Sequence, residues 1–158
     1  MGGIFKGNPL VSSAVGGNLT NFMRFFGVKT PEERLFALSK KFYENGAPKR
    51  ACEKDSKQFI SLTVKALKRE LGSESFGRLY SLRTGHVEET GFSFVNISPT
   101  PKEVFRVQVK YGGGVELWSD SSRSFVDPST PSQLAADIKV LFGEIRHSLS
   151  TPSKPAKA

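Results

Sequence analysis

The chain has 158 residues, with 23 Lys and Arg against 15 Asp and Glu, and one cysteine. That length suits one domain whose own core needs no disulfide or metal as a staple, and a lone thiol excludes an internal disulfide. No stretch approaches the ~20 continuous apolar residues of a spanning helix, and the formal charge of +8 favours RNA, DNA, an anionic membrane or an acidic protein.

Residues 1–17 are rich in Gly, Ser and Asn, with apolar residues scattered among them, and read as part of a mobile arm covering 1–29. Within it, the segment 18–27 places Leu19, Phe22, Met23 and Phe26 on one helical face, with Asn18 able to cap it and Gly27 to end it. The run Thr30-Pro31-Glu32-Glu33 then starts a helix: Thr30 caps, Pro31 suits the first helical position, and Glu33 reaches back to the cap. Leu35, Leu38 and Phe42 form its stripe with Phe36 and Tyr43 beside it, and Asn45-Gly46 and Pro48 stop it. A second helix is expected from Glu53 to Leu71, burying Ile60, Val64, Leu67 and Leu71, flanked by Phe59. Lys57, Lys65, Lys68 and Arg69 fall away from that stripe, and Gly72 ends it.

The hydrophobic period then changes to two. A strand is expected over 76–83, and another over 92–97, where apolar residues on both faces suggest a central strand or a bulge. The clearest strand is 104–111, with Phe105, Val107, Val109 and Tyr111 alternating with Arg106, Gln108 and Lys110. Gly112-Gly113-Gly114 turns into Val115-Glu116-Leu117-Trp118, and Ser124-Phe125-Val126 is a last short strand. Thr130-Pro131-Ser132-Gln133 repeats the first helix start, with Gln133 in the capping-box position, and Leu134, Ile138, Leu141, Phe142, Ile145 and Leu149 share one face of the closing helix. Residues 150–158 have nothing to bury and are expected to be disordered. Segregated helices and strands imply an α+β fold over 30–149: two N-terminal helices, an antiparallel β-meander of four or five strands, and a C-terminal helix packed on the sheet. The helices should cover one sheet face and leave Arg106 and Lys110 on the other.

No motif carries catalysis. Nothing in the sequence brings Cys52 near His86 or His147, and Cys52 reads as a small apolar filler at a helix start. His86 reads as part of a solvated hairpin loop. His147 follows Glu144 by three, but the second Glu-x-x-His of a carboxylate metal site is missing. The glycine triplet lacks the Lys-Ser/Thr of a phosphate loop and lies between strands, so it reads as a hairpin turn. No cofactor, metal, catalytic residue or small-molecule substrate is expected.

The expected function is therefore that of a non-enzymatic basic assembly or adaptor protein, peripheral to a membrane and matrix-like as in small virion proteins. Its anionic partner, a membrane surface or nucleic acid, would meet Lys49, Arg50, Lys57, Lys65, Lys68, Arg69, Arg106 and Lys110. Membrane contact or self-association into a homo-oligomer would use Gly2, Ile4, Phe5, Leu19, Phe22, Met23, Phe25 and Phe26. Gly2 is also open to acylation, although Lys6 stands where the motif wants Ser or Thr. The alternatives are an RNA-binding or ribonucleoprotein subunit, and a small enzyme using His86 or His147. The start of the chain lacks the features of a secretory leader, so a cytoplasmic or membrane-peripheral location inside the cell is expected, not secretion.

Overall fold

The computed structural model describes residues 29–90, 92–110 and 112–150. The amphipathic segment 18–27 and the residues from 151 onward lie outside that range.

Helix α1 (Pro31–Ser39) begins with the expected capping box. The Glu33 N–H donates to Thr30 Oγ1 at 3.1 Å, and the Thr30 N–H donates to Glu33 Oε1 at 3.0 Å, so two donors of the first turn are satisfied. The helix is shorter than the apolar stripe suggests. A 3₁₀ turn over Lys40–Phe42 tightens it, and the chain enters a two-residue hairpin, β1 (Tyr43–Glu44) with β2 (Ala47–Pro48). Asn45 and Gly46, read from sequence as a helix stop, are the turn of this hairpin. Both have positive φ, 54° and 76°, which is the backbone that an Asn-Gly pair supplies at lowest cost between short strands.

Helix α2 spans Glu53–Leu71, as its periodicity predicts. It buries a wider face than the expected stripe, including Phe59, Ile60, Leu62, Thr63, Ala66 and Leu67, because it packs on α1 as well as on the sheet. The next element differs from expectation. Residues expected to open a strand at Phe76 instead form the short helix α3 (Ser73–Gly77), and β3 starts at Ser81 and runs to Val87. Phe76 and Tyr80 are four apart, a helical spacing that also fits period two. Here the turn after Gly72 folds Phe76 and Leu79 back against the core and leaves Tyr80 exposed.

Strands β3, β4 (Phe92–Ser98), β5 (Phe105–Val109), β6 (Val115–Ser119) and β7 (Ser124–Val126) form one antiparallel sheet in sequence order. β4 is a central strand without a bulge, in continuous register from Ser81 opposite Ser98 to Val87 opposite Phe92. Val95, Ile97, Phe105, Val107, Val109, Val115 and Leu117 face the helices and are fully or almost fully buried. Helix α4 (Pro131–Ser150) closes the core with Leu134, Ile138, Leu141, Phe142 and Ile145. Thr130 caps it through the Gln133 N–H at 3.1 Å. The Gln133 side chain turns forward to Asp137 at 2.9 Å and does not complete a capping box.

Candidate anion-binding surfaces

The basic residues lie on two opposite sides of the molecule, on α2 and on the sheet face that strand alternation leaves open. Lys54, Lys57, Lys65 and Lys68 are exposed on the outer face of α2, separated only by Gln58, Ser61 and the partly buried Val64 along that side. At 1.5 Å per residue, the lysines from 54 to 68 make a ridge about 21 Å long. Lys49 and Arg50 lead into its N-terminal end and are also exposed. Arg69 turns to the other side of the helix, where its guanidinium donates to Glu32 at 3.3 Å.

Along this ridge the lysines are not equivalent. Lys57 Nζ lies 2.6 Å from Glu53 Oε2, one helical turn earlier. That hydrogen bond lowers the Glu53 pKa and raises that of Lys57. Among the described residues, Lys54 and Lys65 have no carboxylate within ion-pair distance. Lys68 lies 5.8 Å from the centre of the Phe76 ring, a contact that leaves its charge uncompensated. Between α2 and β3 runs a groove of about 490 Å³, floored by Ile60 and Val64 and edged by Lys57, Lys65, Thr84 and His86.

Arg106 lies on the sheet face turned away from the helices, as alternation requires. It is already engaged there. Its Nε donates to Asn96 at 2.7 Å, its Nη1 donates to Gln108 at 3.0 Å, and the guanidinium lies 4.9 Å from the Phe94 ring centre. Gln108 passes the chain on to Glu116 at 2.5 Å. The Phe94 ring fills the space over Gly85, where a Cβ would stand 2.6 Å from its tip. Lys110 is held by Asp127 at 3.0 Å. On the same face Trp118 and Phe125, directly paired across β6 and β7, have ring centres 4.6 Å apart. Phe125 is 59% exposed. The pairing of this aromatic couple was not recognised from sequence, because it depends on the register of two short strands.

His86 is in strand β3 and not in a hairpin loop, and only 11% of its side chain is exposed. Its Nδ1 is 2.7 Å from the hydroxyl of Ser93, the residue directly opposite it on β4. Glu53 is on the far side of the ring, so serine, histidine and carboxylate follow in the order of a hydrolytic triad. The bond that orients the histidine in such a triad is not formed. The carboxylate is 3.8 Å from Nε2 and held by Lys57 at 2.6 Å, beyond the reach of a hydrogen bond that would orient the ring. The pair is what satisfies the buried Ser93 hydroxyl. Cys52 is exposed at the first cap of α2 and fills no apolar space. Glu144 accepts from Ser119 at 2.5 Å, and the described residues contain no cluster of His, Cys, Asp or Glu suited to a metal.

The residues expected to contact a membrane or a second copy, Gly2, Ile4, Phe5, Leu19, Phe22, Met23, Phe25 and Phe26, lie outside the described residues. No described helix is long and apolar enough to cross a membrane. Compared with family models, curated proteins and solved structures, the chain matches none.

Proposed function

We propose that this protein is a non-enzymatic assembly module that docks on an anionic surface through the α2 ridge, as a peripheral, matrix-like protein does on a bilayer. The observation that carries this reading is the alignment of Lys54, Lys65 and Lys68 on one exposed helix side without carboxylate partners. Uncompensated cations on a rigid helix attract a phosphate-rich surface without first breaking an internal ion pair. Arg106 and Lys110 would each have to give up a partner, so they fall outside the proposed contact. Apolar residues of the N-terminal segment would add insertion to this electrostatic attraction.

The test is co-flotation with vesicles containing phosphatidylserine, at low and high salt. Reversing Lys54, Lys65 and Lys68 to Glu should lower apparent affinity by roughly a hundredfold or more, since each basic residue near an anionic bilayer contributes about 1 kcal/mol. Flotation unchanged by the reversal would remove the ridge from the proposal. Changing Phe22, Phe25 and Phe26 to Ser should reduce the part of the binding that survives high salt.

A second reading, RNA binding, has its own support in the Trp118–Phe125 couple beside Arg106. An aromatic pair with one exposed ring, next to a guanidinium, is a platform on which an unpaired base can stack.

A further inference from the structure

We propose that β3 is the site of two-fold self-association, in which a second copy of the chain adds its own β3 antiparallel to the first and joins two five-stranded sheets into one. Strand β3 is at the end of the sheet order, and among the described residues no strand pairs with its outer edge. Its seven residues, Ser81–Val87, contain no proline, and their register to β4 is unbroken. Edge strands are usually blunted by shortness, proline, bulges or charged side chains. The opposite edge follows that rule: β7 has three residues, and the chain turns away through Asp127 and Pro128. Of these devices β3 has only the single charge of Arg83.

Charge selects a second copy as the occupant. One end of the β3 edge is basic, with Arg78 on the chain itself and Lys65 and Lys68 on the adjoining part of α2, and Arg83 extends this charge toward the middle of the strand. The other end is acidic on the strand side, with Glu88 and Glu89 in the hairpin. The part of α2 beside it adds no net acidity, because Glu53 is paired there with Lys57. An antiparallel two-fold pairing places each basic end against the acidic end of the other copy. A parallel pairing, or a uniformly acidic or basic peptide, would match only half of the edge.

The register of greatest overlap also places no two like charges directly opposite each other. With Thr84 opposite itself, Arg83 faces the second copy's Gly85, Leu82 faces His86, and Ser81 faces Val87. The one charged side chain of the strand thus meets the one residue without a side chain, next to the Phe94 ring that overhangs that glycine. A two-fold axis perpendicular to the sheet keeps both α2 ridges on the same side, so a dimer would present two ridges to one surface. The inference rests on the edge itself and holds whichever anion the ridge binds.

The test uses the full chain in sedimentation equilibrium without ligand, from micromolar to millimolar concentration. One variant reverses the basic end (Arg78→Glu with Arg83→Glu), and another reverses the acidic end (Glu88→Lys with Glu89→Lys). Circular dichroism and melting temperature confirm that both fold. The unaltered chain should dimerise, each variant alone should do so at least about tenfold more weakly, and an equimolar mixture should recover the dimer, because both ends are then complementary. A chain that stays monomeric throughout overturns the proposal. So does association of both variants equal to that of the unaltered chain, or a mixture no better than its components. As an independent measurement, Thr84→Cys in a Cys52→Ser background should form a covalent dimer on mild oxidation, and failure to cross-link while the protein dimerises would place the interface elsewhere.

Discussion

Tyr43 shows how one side chain ties the small N-terminal hairpin to the sheet. Its ring is buried, and its hydroxyl accepts from the Val115 N–H at 3.0 Å, across 72 positions of sequence. Burial pushes the phenol up to about 12, and the bond from Val115 opposes that rise only in part. The folded protein therefore holds this proton where the unfolded chain has already lost it. Stability from the neutral phenol is complete below pH 10 and should fall as pH rises from about 10 to about 12, at up to about 1.4 kcal/mol per pH unit. Urea unfolding over that pH range should show this slope, and Tyr43→Phe should abolish it while costing about 1–3 kcal/mol at neutral pH by leaving the Val115 N–H unpaired. Gly113 is constrained from two sides. Its φ is +117°, and a Cβ there would stand 2.7 Å from the Lys49 carbonyl carbon and 2.8 Å from the Lys49 nitrogen. Backbone cannot yield as a side-chain tip does. Gly113→Ala should cost more than the roughly 1 kcal/mol of an ordinary left-handed glycine position, read as a lower melting temperature.

Among the elements, the two Thr-Pro starts offer a matched comparison. At α1 the cap is reciprocal and Thr30 is 3% exposed, whereas at α4 only the Thr130 half of the box forms. Thr30→Ala should thus destabilise by about 1–2 kcal/mol and Thr130→Ala by less, about 0.5–1 kcal/mol, in parallel denaturant titrations. Such caps and the α2 boundaries were legible in the sequence because they depend on residues within one turn of each other. The α+β class, the meander and its closing helix were legible for a similar reason, since strands joined by short turns pair in sequence order. Legibility failed where two local codes fit the same residues. Asn45-Gly46 ends a helix or turns a hairpin, and what decides is the Tyr43 hydroxyl reaching Val115, a contact no local pattern contains. Phe76 and Tyr80 fit both periods in the same way. For the candidate surfaces, which residues are basic was legible, and so was their division between α2 and the far sheet face, because strand alternation alone puts Arg106 and Lys110 opposite the helices. The engagement of Arg106 and Lys110 by Asn96, Gln108 and Asp127 was not, since it depends on cross-strand register and on a turn.

At the scale of the whole molecule, that division becomes an experiment. The α2 ridge and the aromatic couple lie on opposite sides of one sheet, so a bound polyanion must choose between them. Trp118 is the single tryptophan of the chain, and it is on the side away from the ridge, against Phe125 at 4.6 Å. Its emission therefore reports one face alone. A labelled single-stranded RNA can be titrated with the protein while label anisotropy records binding and Trp118 fluorescence records location. If the ridge is the contact, anisotropy rises while emission stays constant, and reversal of Lys54, Lys65 and Lys68 to Glu weakens the binding. The salt slope of what remains should also be shallower, since fewer counterions are released. If bases stack on the sheet, Trp118 is quenched in step with the anisotropy. In that case Phe125→Ala weakens binding by about 1–3 kcal/mol, the contribution of one stacked base, while the lysine reversals matter little. The second pattern would transfer the function from the helix layer to the sheet and leave the ridge as solvated surface. The first would hold for vesicles as well as RNA, because a row of lysines recognises the density of negative charge and not the molecule that carries it.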